Sequence, residues 1–129
     1  MHIERLKPAG VWDSTQYKFA QAVLVRGCED LLFIAGQVGM DERGQVSPDS
    51  EGQIRQCFEN IRRIVTSAGG GMGNIVKITG YLRDMSVLPT YTKIVGETFG
   101  DNLPAATVIE VRSLALEPLI VEVDALAVL

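Results

Sequence analysis

The sequence contains one histidine and two cysteines in 129 residues, and these small numbers exclude several classes of function. The histidine is His2, near a chain end where we expect little order, so serine or cysteine chemistry that depends on a histidine base has no candidate. Cys28 and Cys57 fall in a predicted loop and a predicted helix without further ligand residues nearby, which argues against a metal site or a disulfide framework. We therefore expect no metal and no cofactor, and we expect Cys57 to fill the core.

The sequence also lacks an excess of positive charge and any long apolar segment. Twelve Lys and Arg residues against sixteen Asp and Glu residues give a net charge of −4, without a run of basic residues. A nucleic-acid partner is disfavoured, because phosphate binding needs a basic surface. No apolar segment is long enough to span a bilayer and the start of the chain lacks the layout of a signal peptide, so we expect a cytoplasmic protein without a membrane partner. Length and composition predict one domain, residues 1–129.

Hydrophobic periodicity predicts the element order β-β-β-α-β-α-β-β, an α+β fold with two helices on one face of a mixed sheet. The first helix is expected to begin at Ser47-Pro48 or Ser50, with Gln53 completing the cap, and to end at glycines 69–71. The second is expected to begin at a Ser86 cap and to end at Gly100. The predicted strands span residues 3–6, 19–26, 31–35, 74–83, 105–112 and 119–129.

Two connections are predicted to be hairpins. Residues 27–30 form a tight hairpin-type turn between the second and third strands, and the continuous apolar run 31–35 implies a strand that is buried on both faces. The last two strands are joined by a short loop that also predicts a hairpin. Residues 36–44 break the strand pattern with three glycines, which either allow the backbone to approach a ligand or simply form a loop.

The last strand alternates between an apolar face and a face that carries carboxylates. A symmetric hairpin places Glu110 opposite Glu122, with Arg112 as the diagonal neighbour that offsets their repulsion. Carboxylates buried near one another have shifted pKa values and can activate water, so Glu122 is a candidate catalytic residue. Alternatively, this face is a solvated or subunit-facing surface, which is the commoner case for such a pattern.

Five ordered motifs carry a resemblance to a known family over nearly the whole chain. They are Gln21-Ala22-Val23, Phe33-Ile34-Ala35-Gly36-Gln37, Gln56 to Asn60, Ile75 to Met85, and Leu103 to Thr107 with Val121 to Ala127. In this order and spacing they resemble the RidA/YjgF family. The resemblance implies a chorismate-mutase-like fold that assembles as a homotrimer, in which three sheets form a closed barrel with the helices outside. It also implies a small-molecule cleft between each pair of subunits.

The best-known members of this family hydrolyse reactive enamines and imines, releasing ammonia and a 2-keto acid. The resemblance implies that Glu122 orients or activates water. It implies a ligand-binding set formed by Phe19, Ala35, Gly36, Gln37, Thr92, Ala106 and Val108. Four members of this set differ from the family pattern, where a tyrosine, a serine, an asparagine and an arginine occupy the positions of Phe19, Ala35, Thr92 and Ala106.

Ala106 is the most consequential difference, because the family's arginine at this position grips the substrate carboxylate. Loss of such a contact costs roughly 2 to 5 kcal/mol, so a standard 2-imino acid deaminase is disfavoured. Candidate replacement cations are Arg26, Arg83, Arg112 and Lys77. Three functions remain under consideration: a divergent hydrolase that uses Glu122, a non-catalytic trimer that binds a small apolar metabolite, and the ribonuclease activity of the older family label. An acidic chain with one histidine disfavours the ribonuclease.

Overall fold

A computed structural model describes all 129 residues, and its elements follow the predicted order. The strands are β1 (His2–Leu6), β2 (Ala22–Arg26), β3 (Leu31–Val38), β4 (Ile75–Leu82), β5 (Ala105–Glu110) and β6 (Val121–Val128), and the helices are α1 (Ser50–Ser67) and α2 (Leu88–Phe99). Four strands form a mixed sheet in the order β3-β6-β4-β5, in which only β4 and β5 are parallel, while β1 and β2 form a separate antiparallel pair. The predicted α+β layout with two helices and a mixed sheet is confirmed.

The helices pack against one face of the four-stranded sheet and create the core. The apolar stripe of α1 includes Ile54, Cys57 and Ile61, all fully buried, and α2 contributes Ile94 and Val95. Cys57 lies in the core as expected. Alternate residues of the strands face the same core, including Ile78, Leu82, Val121, Val123 and Ala127. Neither helix has the length and hydropathy that crossing a membrane requires.

Helix α1 begins inside the predicted range, although its cap differs in detail. Asp49 is the N-cap, and its carboxylate accepts a hydrogen bond from the N–H of Gly52 at 2.6 Å. Gln53, which the sequence assigns to the cap, is instead buried and joins α1 to the start of β6. Its Nε2 donates to the carbonyl oxygen of Pro118 at 2.8 Å, and its Oε1 accepts from the N–H of Ile120 at 2.9 Å.

The prediction that Ser86 caps the second helix is wrong. The carboxylate of Asp84 accepts a hydrogen bond from the Ser86 N–H at 2.8 Å and caps a short 3-10 turn, and α2 begins only at Leu88. Pro89 in the first turn favours this start, because the first N–H groups of a helix have no partner within the helix and proline has none to leave unpaired.

Both predicted hairpins are wrong. Strand β2 pairs with β1 rather than β3, and β3 pairs with β6. Strand β4 lies between β5 and β6, so those two strands are not neighbours. The inward side chains of β4 are fully buried, which favours a central position where both strand edges are hydrogen-bonded. Residues 111–120 therefore pass the end of β4, where Val111 N–H donates to the Leu82 carbonyl and Arg83 N–H donates to the Ile120 carbonyl.

The central position of β4 also changes which residues oppose Glu122. In register, Tyr81 is the partner of Glu122, and Leu82 is the partner of Glu110. The prediction that the two glutamates face each other across a hairpin, with Arg112 between them, is wrong because β4 separates them.

The face of the sheet turned away from the helices, here called the outer face, is uncovered in the single chain. Ile34 faces the core and is 4% exposed, whereas Leu31 and Phe33 are 55% and 77% exposed. Burial of the run 31–35 on both faces is therefore not found within one chain, because both helices pack on the same side.

Candidate functional site

A cavity of about 350 Å³ lies between α2 and the parallel strands β4 and β5. Ala106 pairs with Ile78 and Val108 pairs with Gly80, and since Ile78 is fully buried under the helices, Ala106 and Val108 face the helices as well. Thr92 of α2 lines the opposite wall. Ala106 helps to leave this space open, because its side chain is a single methyl group.

The segment before β2 closes one side of the cavity with aromatic side chains. Phe19 and Tyr17 both line the cavity, and each packs edge-to-face with Trp12 at a ring-centroid distance of 5.8 Å. The buried Ser14 hydroxyl donates to the Phe19 carbonyl at 2.7 Å and holds this segment in place. Four of the predicted ligand-binding residues thus line one cavity: Phe19, Thr92, Ala106 and Val108.

Tyr91 is a polar member of the cavity wall that is not among the predicted site residues. The residue is 5% exposed, and no atom of the protein accepts a hydrogen bond from its hydroxyl. Burial raises the pKa of Tyr91, so the phenol stays protonated. The hydroxyl lies against Gly80, where a Cβ would overlap it.

Glu122 lies on the outer face, on the other side of the sheet from the cavity. Its neighbours along β6, Val121 and Val123, are fully buried toward the helices, and period-two alternation directs Glu122 away from them. The carboxylate lies directly over Gly36 of β3, where an added Cβ would be 2.8 Å from Glu122 Cδ and closer still to Oε1. A side chain at position 36 would therefore displace the Glu122 carboxylate from its place over β3.

Glu122 has polar neighbours on the outer face that the sequence did not single out. Tyr81, its register partner, donates a hydrogen bond from its hydroxyl to Asp124 Oδ2 at 2.9 Å. This hydrogen bond is the main reason that the pKa of Tyr81 is raised, with the negative charges of Asp124 and Glu122 adding to the effect. On the same face, Lys77 Nζ donates to Thr107 Oγ1 at 3.1 Å.

The predicted site residues therefore form two groups that do not meet within one chain. One group lines the cavity, on the helix face and at the β5 edge of the sheet. The other lies on and beside β3 at the opposite edge: Ala35, Gly36 and Gln37, with Glu122 on the adjacent strand. Gln37 Nε2 donates to the Ala35 carbonyl at 3.1 Å, and Gly36 and Gln37 line a separate groove on this side of the molecule.

None of the four candidate cations lines the cavity. Arg83 donates to the carbonyl oxygens of Glu117 and Leu119, Arg26 lies 3.4 Å from the Glu4 carboxylate, and Lys77 is on the outer face. The fourth, Arg112, is exposed beyond the end of β5. Lys18, which the sequence did not suggest, is the cation that lines the cavity. No group of three His, Cys, Asp or Glu side chains is arranged to hold a metal ion.

Two helices on one face of a mixed sheet, with an apolar cavity beneath the second helix, define a small α+β protein with a ligand-sized cavity between helix and sheet. The chain belongs to the RidA/YjgF family, since the model of that family described as Endoribonuclease L-PSP matches residues 14–129. Relatives include a RutC family protein of Pyrococcus horikoshii, 38% identical over 76% of this chain and 79% of its own. The 2-iminobutanoate/2-iminopropanoate deaminase of Rattus norvegicus is 34% identical over 85% of this chain and 79% of its own. The crystal structure of YyfB from Yersinia pestis, a Rid family protein of unknown function, covers 100% of both chains at 26% identity with a TM-score of 0.92.

Proposed function

We propose that this chain assembles into a homotrimer with the chorismate-mutase-like arrangement, in which the outer faces of three sheets form a closed barrel. Support comes from the exposed apolar side chains of that face, Leu31, Phe33 and Ile109, of which Phe33 is 77% exposed. Large apolar side chains on an uncovered sheet face favour burial of that face against another surface. Family membership favours a second copy of the chain as that surface.

The observation that carries the proposed function is the separation of the predicted site residues onto opposite faces and edges of one sheet. Glu122 and Ala106 cannot share a cleft within one chain, because the sheet lies between them. A cleft between two subunits would bring the two groups together. One subunit contributes the cavity half of this cleft, which consists of Phe19, Thr92, Ala106 and Val108. The carboxylate half, Ala35, Gly36, Gln37 and Glu122, comes from its neighbour.

In this cleft, we assign Glu122 the role of general base in the hydrolysis of a C=N bond. The carboxylate accepts a proton from water as the water oxygen bonds to the imine carbon, and the C=N electron pair moves to nitrogen. The proton held by Glu122 passes to the nitrogen and gives a neutral carbinolamine. Glu122 then takes the hydroxyl proton and delivers it to the nitrogen, so that the carbonyl group forms as the C–N bond breaks and the nitrogen departs as ammonia. The deaminase relative supports this reaction class, and the apolar cavity supports a substrate with an apolar body.

A second candidate function is non-catalytic binding of a small apolar metabolite in the same cleft. Ala106 favours it, because the residue that would hold a substrate carboxylate by two hydrogen bonds is absent. Phe19 and Ala35 favour it as well, since both replace hydroxyl-bearing residues of the family pattern by apolar ones.

The two functions are separated by the decay of freshly generated 2-iminopropanoate. Under the hydrolase proposal, the native chain or its Ala106→Arg variant accelerates the decay, and Glu122→Gln abolishes the acceleration. Asp124→Asn is the matched control, because it neutralises a carboxylate on the same strand and the same face. Decay that neither the native chain nor Ala106→Arg accelerates would refute the hydrolase and leave the binding function.

The shared cleft is tested by mixing two inactive variants. Ala106→Trp fills the cavity half, and Glu122→Gln disables the carboxylate half. Random assembly of equal amounts into trimers places an intact cavity beside an intact Glu122 in about a quarter of the clefts, so about a quarter of the activity returns. If mixed and reassembled subunits stay inactive, the cavity of one subunit and Glu122 of its neighbour do not act together, and the intersubunit cleft is refuted.

A further inference from the structure

Strands β1 and β2 form a two-stranded ribbon that packs little against the other helices and strands. One tie is the N–H of Ala20, just before β2, which donates to the Pro104 carbonyl at 2.9 Å. The other is the Arg5 side chain, which donates to the carbonyls of Leu103 and Asn102 at 3.0 and 3.2 Å. Both ties lead to the segment before β5. A two-stranded sheet is marginally stable by itself, so the ribbon needs a further surface.

Strand β2 is apolar but incompletely buried. Its residues Ala22, Val23, Leu24 and Val25 are all half-buried, and none of them belongs to the hydrophobic core. Strand β1 occupies one edge of β2, and no hydrogen bond within the chain reaches the β2 backbone at its other edge. The N–H and C=O groups of that edge are therefore available to another strand.

Strand β3 has the second free edge. It is the terminal strand of the four-stranded sheet, and its eight residues, Leu31–Val38, pair only with β6. Outside that ladder, only the carbonyls of Ala35 and Val38 accept hydrogen bonds from within the chain. The strand contains no charged residue and no proline, which are common means of protecting an exposed edge. An unprotected apolar edge of this length favours pairing with another strand.

The β3 edge is out of reach of β2 in the same chain. A hairpin closed by residues 27–30 would, in antiparallel register, place Ala20 opposite Gln37. Ala20 is instead bridged to Ala105 of β5, at the opposite edge of the sheet. Three strand spacings of about 4.8 Å each separate β5 from β3. The contacts that hold the ribbon beside β5 thus exclude the hairpin.

We infer that β2 of one subunit pairs with the β3 edge of its neighbour, in place of the hairpin within one chain. The inference rests on the proposed trimer and extends it by naming the strands that join the subunits. In that trimer the cavity half of the cleft, at the β5 edge, meets the neighbour's carboxylate half, at its β3 edge. The ribbon is held on the β5 side, so β2 lies where the neighbour's β3 arrives. Exchange of an identical element between protomers is a low-cost route to an oligomer.

Cysteine cross-linking of the full-length chain tests this pairing. The variant carries Leu24→Cys and Phe33→Cys, which lie near the middle of the two strands, and Cys28→Ser removes the other accessible thiol. Equal amounts of ¹⁴N- and ¹⁵N-labelled protein are unfolded, mixed, reassembled and treated with a short bismaleimide. Trypsin cleaves after Arg26, so mass spectrometry detects positions 24 and 33 on separate peptides. Pairing between subunits should give both labels in about half of the 24–33 product, since subunits assemble at random.

The other outcomes overturn the inference in distinguishable ways. A 24–33 product without mixed labels would show a hairpin within one chain. Light scattering gives the mass of the same sample, so a trimer without the 24–33 product would overturn the strand pairing and leave the proposed trimer. A monomer would overturn both. Hydrogen exchange of the native chain is independent of the substitutions, and rapid exchange of all outward amides of β3 in the trimer would also overturn the pairing.

Discussion

The contact between Gly80 and Tyr91 allows a sharp test of how the cavity wall is packed. An alanine Cβ at position 80 would lie 2.7 Å from Tyr91 Cζ and 3.2 Å from Cε2, with the hydroxyl nearer still. The tyrosine ring is 5% exposed and packs against Phe58 with a centroid distance of 6.1 Å, so it has little freedom to withdraw. Overpacking of this kind costs about 1 to 3 kcal/mol, and we expect Gly80→Ala to lose about 2 kcal/mol.

Tyr91→Phe should behave in the opposite way. The hydroxyl is buried without a protein partner, so the folded state bears the free-energy cost of taking that group out of water. Removing the hydroxyl removes part of this cost. We expect a free energy of unfolding that is unchanged or higher by up to about 1 kcal/mol. In the double variant the atom nearest the new methyl group is gone, so the loss should be about 1 kcal/mol smaller than the sum of the two single effects.

Urea unfolding followed by circular dichroism, at one fixed protein concentration, measures these differences. Gly73→Ala is the control, because the nearest atom to its added Cβ is 3.7 Å away. The reasoning would be refuted if Gly80→Ala were as stable as the native chain, or if the two changes were additive.

Two further predictions concern Gly36 and Cys57. The methyl group of Gly36→Ala must displace the Glu122 carboxylate, so the rate of imine hydrolysis should fall about tenfold or more. The free energy of unfolding should change by only about 1 kcal/mol, because the half-buried Glu122 side chain can swing outward. Native activity in this variant would show that Glu122 does not act from its place over Gly36. Burial, and secondly the charge of Glu122, raise the pKa of Cys57 from 9.0 to about 12. The neutral thiol therefore contributes stability that is fully present below pH 9 and is lost as pH rises toward 12, by at most roughly 4 kcal/mol. Urea midpoints of Cys57→Ala should fall less between pH 8 and 10.5 than those of the native chain, and equal slopes would contradict the assignment.

Much of the fold could be predicted from the sequence because local periodicity reports local structure. The spacing of Ile54, Phe58, Ile61 and Val65 describes a helix with one apolar face, and these residues are buried. The alternation of residues 121–128 separates an inward apolar face from an outward face with Glu122, and the structure has the same division. The ordered motifs were sufficient to indicate the family, since they sample most of the chain.

Strand pairing could not be predicted in the same way. Alternation specifies which side chains share a face of a strand, but it carries no information on which strand lies alongside, so both hairpins were assigned wrongly. The position of β4 between β5 and β6 depends on burial of its inward side chains against both helices, which is a property of the whole domain. The contacts of Lys18 with Gly96 and of Tyr91 with Gly80 could not be predicted either, because the two residues of each contact are 78 and 11 positions apart in the chain.

By itself, the sequence determined the element order, the apolar faces and the family, because each depends on residues that are close together or on motifs that are read in order. Only the tertiary structure decided that Glu122 and Ala106 lie on opposite sides of the sheet, and that Lys18 is the cation at the cavity. The physical reason is that strand order and helix packing decide which side of the sheet a residue faces and which distant residues surround it. These depend on contacts between distant segments that compete for the same buried surface.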